Sequence, residues 1–164
     1  MRLFQQNLTN PDNFSNETEE VKAAARALGL QLFVLDVRSE GDFDRAFATL
    51  SEKRIGGLFV GADPLFLYRR DELVARAARF AIPTIYYLRQ YATAGGLISY
   101  GTSLEVAERQ VGDYVGQILK GAKPGELPVV QSARFELVIN LKTANALGLK
   151  VPLGMQVAAD EVIE

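Results

Sequence analysis

Two kinds of apolar pattern alternate along this chain: residues at three- and four-residue steps, and short unbroken apolar runs. Glu17 to Leu28 is rich in Ala, Glu, Lys and Arg, and Val21, Ala24, Ala25 and Leu28 fall on one face. That spacing predicts an amphipathic helix, with Gly29 as its stop. Leu30 to Val37 (LQLFVLDV) then reads as a buried strand. The unit recurs. Asp42 to Lys53 predicts a helix with Phe43, Ala46, Phe47 and Leu50 along one side, and Gly56 to Gly61 a short strand ended by an Asp63-Pro64 turn. Asp71 to Phe80 is helical again, and Pro83 to Leu88 reads as a strand.

Such alternation with short connections predicts a mostly parallel sheet with helices on both faces, a three-layer αβα, Rossmann-like architecture. Further on, Leu97 to Gly101 predicts a very short strand. Ser103 to Lys120 then carries the strongest helical pattern, with Leu104, Ala107, Val111, Tyr114, Val115 and Ile118 in step. Lys120-Gly121 gives it a basic last turn and a glycine stop. Pro124 to Val130 reads as a linker. Phe135 to Ile139 predicts a strand, Asn140 caps a helix to Leu147 that Gly148 ends, and the tail from Pro152 holds one more short helix.

Composition narrows the chemistry. At 164 residues the chain is in the range of one domain with a real core. With no Cys there is no disulfide, thiolate nucleophile or cysteine metal site; with no His there is no Ser-His-Asp triad or imidazole acid/base. Carboxylates, Tyr and Lys remain for proton transfer. A net charge of -2 provides no broad field for nucleic acid, so no nucleic-acid partner is expected. No metal, cofactor or catalytic residue is expected either. The first residues have one basic residue and no apolar run, so they do not read as a secretory signal, and no stretch approaches a membrane span. Expressed as given, the chain would stay in the cytoplasm.

Several residues could form a site. Gly95 and Gly96 precede a strand, so they do not fit the dinucleotide fingerprint, whose glycines lie between a strand and a helix; a bend explains them better. Asp63 ends a buried strand, at the edge of an open α/β sheet where ligands gather. It either meets a ligand or merely starts the turn with Pro64. Tyr86, Tyr87, Arg89 and Tyr91 lie close together; strand alternation puts Tyr87 and Arg89 on one face and Tyr86 on the other. Rings and a guanidinium suit a small organic carboxylate, but the tyrosines could equally be core and Arg89 could pair with an acidic side chain. Thr102 and Ser103 stand where a helix cap is needed.

Taken in order, GADP, AIPTIY, GGLISYGTS, a helix ending ILKG, LPV and FELVINLKTANALGL resemble the substrate-binding proteins of bacterial ABC transporters, in the group related to tryptophan/tyrosine transport. The resemblance runs from about Asn10 to the C-terminus. It implies one lobe of a type I periplasmic-binding-protein fold, plus segments that cross to a second lobe, in a family whose members are about twice this long. Leu3 to Leu8 (LFQQNL) stands where the family has an apolar strand. Carried over by position, Asn10, Asp63, Pro64, Phe66, Tyr86, Arg89 and Tyr100 face the family's cleft, and Gly95-Gly96 mark a hinge.

The resemblance further implies a solute-binding component of an importer, with a small organic solute such as an amino acid or aromatic compound, an ABC permease as partner, a periplasmic location and no catalysis. It divides the chain into a C-terminal-lobe core (1–92), a hinge and crossing segment (93–133) and a return to the lobe (134–164). A segment 97–131 lacking its partner lobe predicts a homodimer through its apolar stripe. The alternatives are an effector-sensing domain of a regulator and a small flavodoxin-like enzyme.

Overall fold

In the computed structural model, which describes residues 2–5, 11–35, 37, 39, 41–130 and 134–164, strands and helices alternate as the apolar pattern predicts. The first half runs β1 (Arg2–Gln5), α1 (Pro11–Ala27), β2 (Gln31–Val34), α2 (Asp42–Glu52), β3 (Leu58–Phe59), α3 (Pro64–Tyr68) and α4 (Arg70–Arg79). It continues with β4 (Thr84–Tyr86), α5 (Arg89–Thr93), β5 (Ile98–Thr102) and α6 (Leu104–Leu119). The last part is β6 (Phe135–Asn140), α7 (Leu141–Ala146), α8 (Leu153–Ala158) and β7 (Glu161–Ile163).

The strands form a parallel pair, β1-β2, and a five-stranded sheet in the order β3-β4-β5-β6-β7. β1 also lies beside β3. All ladders are parallel except β5–β6, where Ile98 to Thr102 run against Ile139 to Phe135. That one reversal arises because the chain leaves the sheet at the carboxyl end of β5 and returns at the same end. The connection through α1 crosses the sheet in the opposite direction from that through α2, and right-handed crossovers place these helices on opposite faces. The result is a mixed α/β layered fold of the Rossmann-like kind.

The core follows the predicted stripes. Phe43, Ala46, Phe47 and Leu50 of α2 are buried, as are Leu73, Val74 and Ala77 of α4. They close over Leu58, Val60 and Tyr86 in one apolar cluster. At the end of α4 the Ile82 N–H donates to Ala77 O and the Ala81 N–H to Ala78 O, a tight helix exit that holds Ala81 at φ 50°.

Several boundaries differ from expectation. α1 begins at Pro11, six residues before Glu17, because Pro at a first helical position costs no hydrogen bond. β1 occupies part of the LFQQNL run. The strand predicted to Leu88 stops at Tyr86, and α5 follows, so Arg89 opens a helix and the expected alternation of Tyr87 and Arg89 on one strand face does not occur. The tail holds β7 as well as the expected helix. Segment 93–133 divides: β5 is inside the sheet, whereas α6 has no buried residue.

Candidate functional site

The carboxyl ends of β3, β4 and β5 share one edge of the sheet, the edge at which open α/β sheets hold ligands. Asp63 follows β3 in an extended conformation (φ -148°, ψ 135°) and is the N-cap of α3. Its Oδ1 accepts from the Leu65 N–H at 2.7 Å, and Pro64 occupies the first helical position. Asp63 is 1% exposed, while Pro64 beside it is exposed. Phe66 is fully buried, its ring 5.9 Å from that of Phe43.

Three tyrosines occupy the next position along the edge. Tyr86 and Tyr91 are both enclosed and stack with ring centroids 4.6 Å apart at 10°. The Tyr87 ring, half-buried, tilts against Tyr91 at 5.6 Å, and the Asp63 backbone hydrogen-bonds its hydroxyl. This ties the end of β3 to the end of β4. Burial pushes the ionisation of all three phenols upward, and the neighbouring tyrosines add to the rise at Tyr91. Burial thus favours the protonated phenols.

Arg89, at the start of α5, forms an ion pair with Glu161 at the start of β7. Both side chains are about one-third exposed, so the pair faces outward at the edge. Tyr100 on β5 is 55% exposed and stacks on Phe135 of β6 at 5.7 Å. Thus Pro64, Tyr87, Arg89 and Tyr100 present surface, whereas Asp63, Phe66 and Tyr86 support from within. Tyr86 and Phe66, expected to face a cleft, are enclosed in the core instead, because α4, α5 and α2 close over them. Asn10 lies outside the described residues.

The glycine pair has a local cause. Gly95 leaves α5 with φ 104°, a conformation that favours glycine. A Cβ at Gly96 would lie 2.6 Å from Tyr86 Cε2 and 2.7 Å from Tyr91 O. Gly101 is tighter still: a Cβ there would meet Tyr87 O at 1.9 Å. The missing side chain of Gly101 therefore lets β5 pass directly over the backbone of Tyr87.

Glu161 and Phe135 escaped the sequence reading. Glu161 is 72 positions from Arg89, and nothing local in DEVIE announces the pairing. Phe135 opens FELVIN and read as an ordinary strand residue. Among the described residues no group of three or more acidic side chains is placed to hold a metal ion, and no helix is long and apolar enough to cross a membrane.

Comparison with known proteins agrees with this layout. The model of the family described as ABC transporter substrate binding protein matches residues 8–163. Among solved structures, the chain is similar to the ABC domain from Streptococcus pneumonia in complex with L-Trp, with 25% identity and a TM-score of 0.86 over 99% of this chain and 55% of that one. It also resembles a conserved domain protein from Vibrio cholerae (24% identity, TM-score 0.82, 98% of this chain and 54% of that). A third likeness is the ligand-free, open structure of a substrate binding protein with adhesive properties from Clostridium difficile (20%, 0.69, 99% and 54%). No curated protein matches the sequence. The chain spans about 55% of the length of the first of these structures. With nearly every residue inside the family match, the chain belongs to the ABC transporter substrate binding protein family, a family of binding proteins rather than enzymes.

Proposed function

We propose that this chain forms one wall of a solute-binding cleft, serving an ABC importer in the periplasm by capturing a small organic solute and presenting it to a permease. The observation that carries the reading is the outward-facing Arg89–Glu161 pair at the carboxyl edge, an edge on which Tyr87 and Pro64 also present surface. A guanidinium beside a carboxylate offers a zwitterion both partners it needs, and the tyrosine adds an apolar wall for a side chain. Amino acids, aromatic ones first, are therefore the class to test. The similar Streptococcus structure is described in complex with L-Trp, which supports the same class. Asp63, Pro64, Phe66, Tyr86 and Tyr100 build or back the wall, and Gly95-Gly96 stand where the chain turns toward β5.

A single ledge encloses only part of a ligand, so binding to this chain is expected to be weak but measurable. Isothermal titration of the chain against tryptophan, tyrosine, other amino acids and aromatic acids tests the reading. Saturable binding with the ligand recovered unchanged is the expected result. Absence of binding to any of these classes, with the chain folded, would refute it.

A further inference from the structure

Asn140 ends β6 and caps α7: its Oδ1 accepts from the Thr143 N–H at 3.0 Å. A cap uses only the carbonyl half of an amide. The other half is enclosed too, since Asn140 is 5% exposed, and its Nδ2 donates to Ala92 O at 3.1 Å, 48 positions away. In the first turn of α7 the Thr143 hydroxyl donates to Gly95 O at 2.7 Å. The Asn140 backbone N–H donates to Leu97 O at 2.9 Å. One helix start thus grips the carbonyls of Ala92, Gly95 and Leu97, which carry the chain from α5 into β5.

That grip falls where the chain needs it. A helix leaves its last carbonyls without internal partners, and five-residue α5 is too short to hold its own shape. Tyr91, stacked on Tyr86 in the core, fixes its middle, and α7 fixes its end. The turn is also closed from within, because the Gly95 N–H donates to Ala92 O and the Gly96 N–H to Tyr91 O. Arg89 leaves the first residue of this same short helix to meet Glu161.

We propose that Asn140 and Thr143 are positioning residues for the solute site. They lock the α5–β5 turn into a rigid bracket, and the bracket sets the direction in which Arg89 projects at the carboxyl edge. The glycine pair gives the bracket its shape, through a positive φ at Gly95 and a close approach at Gly96, and is not a swivel. Asparagine suits position 140 because aspartate could cap α7 but has no hydrogen to give Ala92 O. The rigidity holds without a ligand, whereas the effect on recognition rests on the solute-binding reading above.

Thr143→Val removes one donor and keeps the side chain's outline, and Thr143→Ser keeps the donor. Amide hydrogen exchange followed by NMR, with no ligand present, reads the bracket. The Gly95 and Gly96 amides should be protected in the parent chain, exchange about fivefold faster in Thr143→Val, and return to the parent rate in Thr143→Ser. Amides in the middle of α2 should keep their rates. Unprotected glycine amides in the parent, or an equal acceleration throughout the core, overturn the bracket. Titration calorimetry with tryptophan and tyrosine reads the positioning. Thr143→Val should weaken binding about fivefold, with Thr143→Ser restoring it. In an Arg89→Lys chain, whose ammonium is a point charge with no fork to aim, the same change should cost little more. An equal loss in both backgrounds overturns the positioning role and leaves the solute reading intact. A parent chain that binds neither probe overturns the positioning role for these solutes, and the exchange rates still decide between bracket and swivel.

Discussion

Gly96 leaves no room for a side chain beside the ring of Tyr86: a methyl group in place of its hydrogen would sit 2.6 Å from Cε2. The Tyr91 carbonyl blocks the other escape at 2.7 Å, and Tyr86 cannot retreat because it is already stacked on Tyr91. Gly96→Ala should therefore destabilise by about 1–3 kcal/mol, the usual range for overfilling a packed core. Thermal unfolding followed by circular dichroism measures it. Unchanged stability with altered ligand affinity would instead support a pure hinge role for the pair.

Asp63 separates two roles by chemistry. Its carboxylate caps α3 through the Leu65 N–H, and an asparagine side chain can accept the same bond. Asp63→Asn should leave the unfolding midpoint nearly unchanged, while Asp63→Ala should cost about 1 kcal/mol from the lost cap alone. If the negative charge meets a ligand ammonium, Asp63→Asn will weaken amino-acid binding in titration calorimetry. If capping is its whole task, binding will survive that change.

The alkaline limb of stability should belong to the tyrosines. Burial raises the pKa of Tyr86 and Tyr91 above the ordinary 10.0. Below that value both folded and unfolded chains hold the phenolic protons, and stability is independent of pH on their account. Above it the unfolded chain releases protons that the native chain keeps, so stability falls as pH rises, and goes on falling toward the native pKa. Phenolate absorbance and circular dichroism followed together through an alkaline titration check this. Tyr86 and Tyr91 should ionise only together with the loss of native circular dichroism.

Ala81 provides a gain rather than a loss. It is not a glycine, yet it sits at φ 50° where α4 turns into the approach to β4. The left-handed conformation costs a side chain roughly 1 kcal/mol relative to glycine. Ala81→Gly should raise the melting temperature by about 2–4 °C, less whatever entropy the more flexible unfolded chain regains. A lowered midpoint would mean that the methyl group contributes packing not evident from its exposed position.

How much of this was written in the residues depends on range. The stripes of α2 and α4 predicted their own burial, since a helix face and its partners are fixed by a local period. Asp63-Pro64 read only as a turn, and the five-residue α3 that it opens is too short for a period to reveal. α5 was missed because RQYAT is too short for periodicity to register, and its conformation is set by packing of Tyr91 on Tyr86. The same contact moved Tyr86 from an expected cleft position into the core. Arg89 met its partner only through a fold that brings β7 beside β6, a juxtaposition no local pattern encodes.

That pairing yields the sharpest functional test. Arg89 and Glu161 are each more than a third exposed, so water screens them and the pair contributes little to stability, within about 1 kcal/mol. Glu161→Gln and Arg89→Gln should both shift thermal unfolding only slightly. Their effects on ligands should diverge. If the pair reads a zwitterion, Glu161→Gln weakens binding of amino acids while sparing aromatic acids that lack an ammonium group, and Arg89→Gln weakens both. Removing Glu161 also frees the guanidinium from its internal partner, so carboxylates without an amine should bind that variant more tightly than the parent chain. Equal losses for both ligand classes in both variants would show that the ion pair holds β7 in place and takes no part in recognition.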